Sequence, residues 1–397
     1  MVPDSVLPLF LAIRAAGGRA LVVGGSARDA LRGTPSKDLD IEVHGIDVGA
    51  LLEVLQRYGS VNEVGRSFGV LKLRMAGHDL DVSLPRRDSR VGAGHRGIRA
   101  DADPFLGVRE AARRRDLTVN AIAWDPLTDT WEDPFDGRGD LARGLLRAVD
   151  PSTFGEDPLR ALRVAQFAAR FGYAVDPELL ELCRAMPLEE LPAERIRGEV
   201  EKLLLRGDPP SRGWQLAEQM GAWRRVLPEW GAVPPALDRV ARCPVAPTPR
   251  RLALMMAAAC GGGDEAQATS VLDRLWIHRV EGYRVREQVL FLVRRRGAVV
   301  DSDPVCLRLA DEGEVGLLAL LRDDEALGAQ ADRLGVTRAP LPPLLQGRDL
   351  GVLGIGQGPE MGRWLTLVRG AQLDGGVHTR AEAIEWLRGR MSVGGIP

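Results

Sequence analysis

A chain of 397 residues, 45% hydrophobic and 27% charged, is long enough for roughly two to four domains with a core in each, which excludes a peptide module. Its 53 basic and 55 acidic side chains leave a net charge of −2, so nucleic acid would find no bulk attraction, only whatever local basic surface the fold builds. Lys37, Lys72 and Lys202 are the only lysines, and the arginine bias runs so evenly that it reads as genome composition or thermal adaptation.

Along the chain, Ala20 to Val23 forms a short apolar run that stops at Gly24-Gly25. Ala27, Ala30 and Leu31 then give a helical period, with Ser26 as the expected N-cap and Gly33-Thr34-Pro35 as the stop. Leu39 to Val43 resumes as a strand whose alternation puts Asp38 and Asp40 on one face. Two neighbouring carboxylates repel unless a cation lies between them, and such oxygen ligands suit Mg²⁺, which also binds substrate phosphates. The glycines and the following helix N-terminus suit a closely approaching phosphate chain. Taken singly, the two features also read as a solvated strand face and an ordinary turn.

VLKLRM and LDVSLP, between Val70 and Leu84, alternate around residues 76–79 and predict a hairpin beside the Asp-x-Asp strand, with Asp81 in its second arm. Residues 86–103, with three glycines and arginines at Arg86, Arg87, Arg96 and Arg99, predict a loop. In ARRRDLTVNAIAWD, residues 112–125, Arg114 and Arg115 can pair bidentately with triphosphate oxygens, while Asp116 and Asn120 can take ribose hydroxyls; a charged helix cap is the plainer alternative. Residues 131–150 read as a structural connector, and near Asp150-Pro151 the pattern changes from alternating strands and helices to helices alone.

The helix expected to open with Glu156 and Asp157 places Asp157 and Arg160 on one face, with Arg163 a turn further on. In residues 191–204, Arg195 and Glu199 at i and i+4 predict a bracing ion pair. Residues 209–249 alternate prolines, tryptophans and short helices, as a connecting region would. The densest basic cluster beyond them is Arg279, Arg284, Arg286, Arg294, Arg295 and Arg296. Cys183, Cys243, Cys260 and Cys306 are scattered, with no ligand spacing, which predicts no zinc, no disulfide and a reducing cytoplasm. Neither an export signal nor a membrane span is expected.

The stretch from Gly24 and Gly25 through Arg28, Asp29 and Gly33 to Asp38 and Asp40 resembles the first motif of the class II tRNA nucleotidyltransferase and poly(A) polymerase family, within the polymerase-β-like superfamily. The segments at 112–125, 131–150, 155–163 and 191–204 resemble the family's second to fifth motifs in order. The resemblance implies an α+β fold: a head with a mixed sheet at 1–148, then a helical neck at 149–208 and an all-helical body and tail at 209–397.

It implies a cytoplasmic enzyme that adds CMP and AMP to the 3′ end of tRNA without a template. Mg²⁺ would be held by Asp38 and Asp40, with Asp81 as a third catalytic carboxylate. ATP and CTP would bind through Gly24, Gly25, Arg28, Arg114, Arg115, Asp116, Asn120, Asp157, Arg160 and Arg163. Asp157 would accept from the exocyclic amine that adenine and cytosine share, and Arg160 would donate to a ring or carbonyl acceptor. Arg294, Arg295 and Arg296 would contact tRNA phosphates. The segment at 86–103 corresponds to a loop that organises addition of the last nucleotide in similar proteins, and favours terminal A addition. An A-adding or poly(A)-adding enzyme, or an RNA-binding relative without catalysis, are the alternatives. Some family members add a phosphohydrolase module marked by His-Asp; none is expected, because the only His-Asp is His78-Asp79, in the hairpin.

Overall fold

A computed structural model describes residues 2–34, 39–62, 70–90 and 98–392. The chain divides into two compact units, Met1–Ala232 and Val233–Pro397. In the first, α1 (Leu7–Ala15), β1 (Arg19–Val23), α2 (Gly24–Leu31), β2 (Leu39–His44), α3 (Val48–Gln56) and β3 (Ser60–Asn62) precede the hairpin β4 (Val70–Met75) and β5 (His78–Ser83). The hairpin turns on Ala76 and Gly77, both at positive φ, as a tight two-residue turn requires.

β8 (Ala123–Asp125) and β9 (Thr130–Glu132) complete a seven-stranded sheet in the order β3-β4-β5-β2-β1-β8-β9. The β2–β5 pair is parallel and the other ladders are antiparallel, so the sheet is mixed, as expected. Burial follows the sequence pattern. β1, with Ala20 to Val23 all buried, is a central strand covered on both faces, whereas β4 alternates buried and exposed residues. Leu9, Phe10 and Ile13 of α1 and Leu51 and Leu55 of α3 close the core over Val22, Ile41, Val43, Leu73 and Val82. The opposite sheet face bears Asp40, Glu42 and Asp81.

The loop expected over 86–103 is instead a two-stranded antiparallel ribbon, β6 (Arg86–Arg90) paired with β7 (Ile98–Ala102). Backbone pairing overrides the lack of an apolar pattern, and 91–97 lie outside the described residues.

α4 (Val108–Arg113), a 3₁₀ turn at Thr118–Asn120 and α5 (Gly137–Arg143) lead to α6 (Pro151–Phe154), capped by Asp150 accepting from Ser152 N. Then come α7 (Leu159–Phe171), α8 (Pro177–Ala185), α9 (Ala193–Arg206) and α10 (Pro210–Gln219). α7 is buried along most of its length between α9 and α10. Gly213 permits this packing: a Cβ there would lie 2.4 Å from both Ala165 O and Leu203 Cδ1. Trp214, Trp223 and Trp230 pack against one another beyond it, two ring pairs tilted and one edge-on.

The second unit is helical throughout its described residues. Thr248–Ala259, apolar on nearly every side, is buried at its centre. Glu314 is buried there too, and it accepts from Arg250 Nε at 2.8 Å and Tyr283 Oη at 2.6 Å. The last three helices, Gly347–Val352, Pro359–Leu373 and Arg380–Ser392, form a separate small core around Trp364.

Candidate active site

β1 passes into α2 through Gly24 at φ +64°, where a Cβ would lie 2.8 Å from Arg115 Nη1 and 3.7 Å from Asp40 Oδ2. The positive φ favours glycine, and a Cβ would displace the Arg115 guanidinium while making only an ordinary contact with Asp40. Gly25 differs: its Cβ would make only an ordinary 3.5 Å contact with Arg28 Nη2. Ser26 is not the N-cap that its sequence position suggests. The helix already begins at Gly24 after extended Val23, and Ser26 Oγ instead accepts from Asp40 N at 3.0 Å, joining α2 to β2.

Asp38 lies outside the described residues. Asp40 and Asp81 are register partners on the parallel strands β2 and β5, which puts them side by side on one sheet face, and Lys72 Nζ lies 2.9 Å from Asp81 Oδ1. These are hard oxygen donors of the kind that suits a divalent cation. Among the described residues no group of three or more His, Cys, Asp or Glu assembles at a metal-holding distance.

Behind this pair is an arginine–carboxylate framework. Glu42, two residues after Asp40 and therefore on the same face, is buried; Arg114 Nη2 and His44 Nε2 lie 3.2 Å from its carboxylate and Arg115 Nη2 3.8 Å. Burial would push its pKa up, but His44, Arg115 and Arg114 hold it down at about 2. Arg28 donates to Asp29 Oδ1 at 2.9 Å and to Asn120 Oδ1 at 2.6 Å. Asn120 Nδ2 donates to Asp116 Oδ1 at 2.9 Å, and Arg163 Nε to Asp116 Oδ2 at 2.7 Å. Against its own burial, Asp116 is kept at a pKa of about 2, chiefly by Arg163 and Asn120. Asp116 and Asn120 are thus engaged in holding Arg28 and Arg163, a framing role that the expectation of ribose contacts did not include.

Asp157 does not sit in the helix. It precedes α7, accepting from Leu159 N at 3.2 Å, so the shared helical face expected for Asp157 and Arg160 is corrected: a turn apposes them. Arg195 does not pair with Glu199 either. Its fork grips both oxygens of Asp157 at 3.0 and 2.8 Å, while Glu199 takes Lys202 at 2.7 Å and lies 3.9 Å from Arg163. The i,i+4 rule loses here to a half-buried tertiary partner held by two hydrogen bonds, and Arg195 is a site residue that the sequence placed only as a brace. Burial opposes ionisation of Asp157, but Arg195 keeps its pKa below the usual carboxylate value. Arg160 donates to three backbone carbonyls, Arg114 O at 2.7 Å, Thr153 O at 3.1 Å and Phe154 O at 3.3 Å.

A cleft of about 460 Å³ gathers these parts, with Gly24, Asp40, Arg115, Asp157, Arg160 and Arg195 in its walls. Of the residues predicted from the sequence, Gly25, Arg28, Asp116, Asn120 and Arg163 also line it, whereas Arg114 and Asp81 do not. Arg114 is turned to Glu42, and Asp81 faces the neighbouring cavity.

In the second unit the basic cluster is largely neutralised. Arg294 grips Glu265 at 2.8 and 2.7 Å, Arg295 grips Glu312 at 2.8 and 2.6 Å, and Arg286 lies 2.6 Å from Asp273. The spacing of arginines along the sequence did not show these acids arriving from other helices. Arg296 is half-buried, with Nε and Nη2 lacking hydrogen-bond partners among the described residues.

Residues 20–147 match the family described as the poly A polymerase head domain, and residues 172–232 match a probable RNA and SrmB- binding site of polymerase A. Over these two segments the chain is similar to the poly(A) polymerase family. The multifunctional CCA protein of Nitrosomonas europaea is 41% identical over 215 residues, and that of Nitrosococcus oceani 40% over 213. These alignments take in 53% and 52% of this chain, and the chain spans about half the length of both relatives, 50% of each. Among solved structures, the Bacillus stearothermophilus CCA-adding enzyme in complex with CTP has the same fold, with a TM-score of 0.75 at 23% identity over 99% of each chain. The Thermotoga maritima CCA-adding enzyme complexed with tRNA CCA superposes at a TM-score of 0.63 with 22% identity, over 98% of this chain and 96% of that one. No helix among the described residues is long and apolar enough to cross a membrane.

Proposed function

We propose that this protein adds CMP and AMP to the 3′ end of tRNA, without a template, by metal-dependent nucleotidyl transfer. The observation that carries the reading is the single cleft in which the Gly24 turn, Asp40, a set of arginines and the Asp157–Arg160 pair converge. The relatives named CCA protein and the CCA-adding enzymes with CTP, ATP and tRNA support the same substrates.

In this reading Arg28, Arg115 and Arg163 bind the triphosphate through charge-assisted hydrogen bonds. Asp157 accepts from the exocyclic amine common to cytosine and adenine, and Arg160 donates to the adjoining acceptor, so guanine and uracil present the wrong partners. The RNA 3′-oxygen attacks the α-phosphorus, the bond to the bridging oxygen breaks, and pyrophosphate leaves with no covalent protein intermediate. Asp40 with Asp38 would hold Mg²⁺, which supplies activation of the hydroxyl and neutralises the leaving group; Asp81, beside Asp40, is the third carboxylate. The head at 1–148 performs the chemistry, the neck at 149–208 reads the base, and the body and tail at 209–397, with Arg294, Arg295 and Arg296, hold the tRNA in the cytoplasm.

The test supplies tRNA ending at the discriminator base, at C or at CC, with labelled CTP and ATP separately and together. Stepwise incorporation of CTP and then ATP is expected, and Asp40→Ala is expected to abolish it in a folded protein. ATP addition to CC ends with no use of CTP would instead identify an A-adding enzyme, and untemplated runs of A a poly(A) polymerase.

A further inference from the structure

On the far side of Asp40 from the base-reading residues a second cavity opens, about 1130 Å³, with Asn62, Lys72, Arg74 and Asp81 in its walls. Gly25, Arg28, Asp40, Arg170 and Arg206 line both cavities, so this wall separates two spaces that share one carboxylate. Arg170 lies in the last turn of α7 and Arg206 ends α9; neither belongs to a motif recognised in the sequence. Arg206 falls in the segment that matches the probable RNA-binding model.

Positive charge is in excess at this wall. The guanidiniums of Arg28 and Arg170 in the wall, and of Arg32 outside it, lie 4.6, 4.8 and 4.2 Å from the centre of the Phe171 ring. Among the described residues Asp29 is the carboxylate that pairs with them; its Oδ1 takes Arg28 at 2.9 Å and its Oδ2 is 3.7 Å from Arg170. Arg206 is exposed and has no hydrogen-bond or ion-pair partner among the described residues. Cations at helix C-termini are favoured by the helix dipole, and Arg170 and Arg206 both stand at such ends. Like charges held this close favour a bound polyanion.

The geometry of transfer decides which polyanion. With the nucleotide occupying the cleft that holds Asp157 and Arg160, the attacking hydroxyl must reach Asp40 from the other cavity, and it brings its own phosphodiester backbone past the shared wall. We propose that Arg170 and Arg206 form a phosphodiester clamp for the 3′-terminal nucleotides of the acceptor RNA, seating its hydroxyl at Asp40 through the cavity walled by Lys72 and Asp81. This inference rests on the nucleotidyl-transfer reading above. The clamp is sequence-independent, because it touches backbone and not bases.

The test compares R170Q, R206Q and the double variant with the unaltered protein, varying RNA at saturating CTP and CTP at saturating RNA. RNA binding without nucleotide is titrated alongside, at several salt concentrations. Each single change is expected to raise the KM and Kd for RNA about fivefold and the pair about twentyfold, with KM for CTP and melting temperature nearly unmoved. The slope of log affinity against log salt should fall by about 0.7 per arginine removed, and R170K and R206K should restore much of it. A rise in the KM for CTP instead of RNA would show that these arginines hold the triphosphate and would overturn the clamp. So would unchanged RNA affinity, which would leave them as helix-end charges. Failure of the unaltered protein to incorporate any nucleotide would count against the parent reading, and the direct RNA titration still tests the clamp.

Discussion

Gly24→Ala and Gly25→Ala, neighbours in sequence, should behave differently because the backbone treats them differently. At φ +64° alanine is strained by roughly 1–2 kcal/mol, and the new Cβ would also meet Arg115 Nη1 at 2.8 Å. That nitrogen ends a flexible side chain, so the clash is relieved by moving the guanidinium and adds little to the loss of stability. For a cooperative unit of this size the strain lowers the melting temperature by about 2–8 °C. Displacing Arg115 has the larger functional effect: a misplaced charged donor forfeits about 1.5–3 kcal/mol, or about 10- to 150-fold in kcat/KM for the nucleotide. In Gly25→Ala the nearest side-chain atom is Arg28 Nη2 at 3.5 Å and φ lies outside the strained region, so stability should stay within about 0.5 kcal/mol. Thermal unfolding followed by fluorescence, with nucleotide-varied incorporation kinetics on each variant, reads both effects. Equal melting losses in the two variants, or Gly24→Ala with unaltered melting and unaltered nucleotide kinetics, would refute the reasoning.

Other perturbations address the framework. Glu42 is held at about 2 against an ordinary 4.5, so its contribution is complete above pH 4.5 and is lost as pH falls towards 2; thermal scans should show Glu42→Gln less stable at pH 7 and with a shallower fall across that window, Asp116 keeping part of the slope. Arg195→Ala removes the cation that depresses Asp157, so the acid limb of the kcat/KM profile should move to higher pH and kcat/KM should fall at neutral pH, with an unmoved limb counting against Asp157 as a base reader. Gly213→Ala drives a Cβ to 2.4 Å from the Ala165 carbonyl, backbone that cannot swing aside, and should cost roughly 1–3 kcal/mol in denaturant unfolding. Replacing Arg294, Arg295 and Arg296 together with Gln should weaken tRNA binding; because Arg294 and Arg295 are already paired with Glu265 and Glu312, each should contribute less than Arg206, and salt titration of the two sets of variants ranks them.

What the sequence made legible was local. Alternation in VLKLRM and LDVSLP placed the hairpin, and Asp40 duly lies beside Asp81, because period-two burial leaves one register for a half-covered strand. The same alternation carried a signal for Glu42, two residues beyond Asp40, that went unread. Helix-face reasoning failed where partners came from a distance. Arg195 found Asp157, 38 residues away, in place of Glu199, and Arg294 found Glu265, 29 residues away. Ser26 failed as a cap because glycine at positive φ let the helix start two residues sooner. The β6–β7 ribbon was missed because its charged residues have no apolar period, and backbone pairing leaves no mark in composition.

In the proposed reading, the pairing of Asp157 with Arg195 bears on how one site would accept two bases of unequal size. Both candidate readers are fixed before any base arrives: Asp157 by a two-pronged arginine and a backbone N–H, Arg160 by three carbonyls. A carboxylate so held keeps lone pairs for one further donor but cannot rotate to suit a different edge. Discrimination then comes from what the wrong base leaves unpaired. A carbonyl set against the Asp157 carboxylate makes no hydrogen bond and repels it, a loss of roughly 2–4 kcal/mol in a half-buried cleft, or about 30- to 1000-fold against guanine and uracil. Size is not tested by such a pair, since it touches one edge only, so in the proposed reading cytosine and adenine would pass on the amine they share. In this reading the order of addition must therefore be set outside the pair, by how far the RNA end extends across the wall bearing Arg170 and Arg206 when its hydroxyl reaches Asp40.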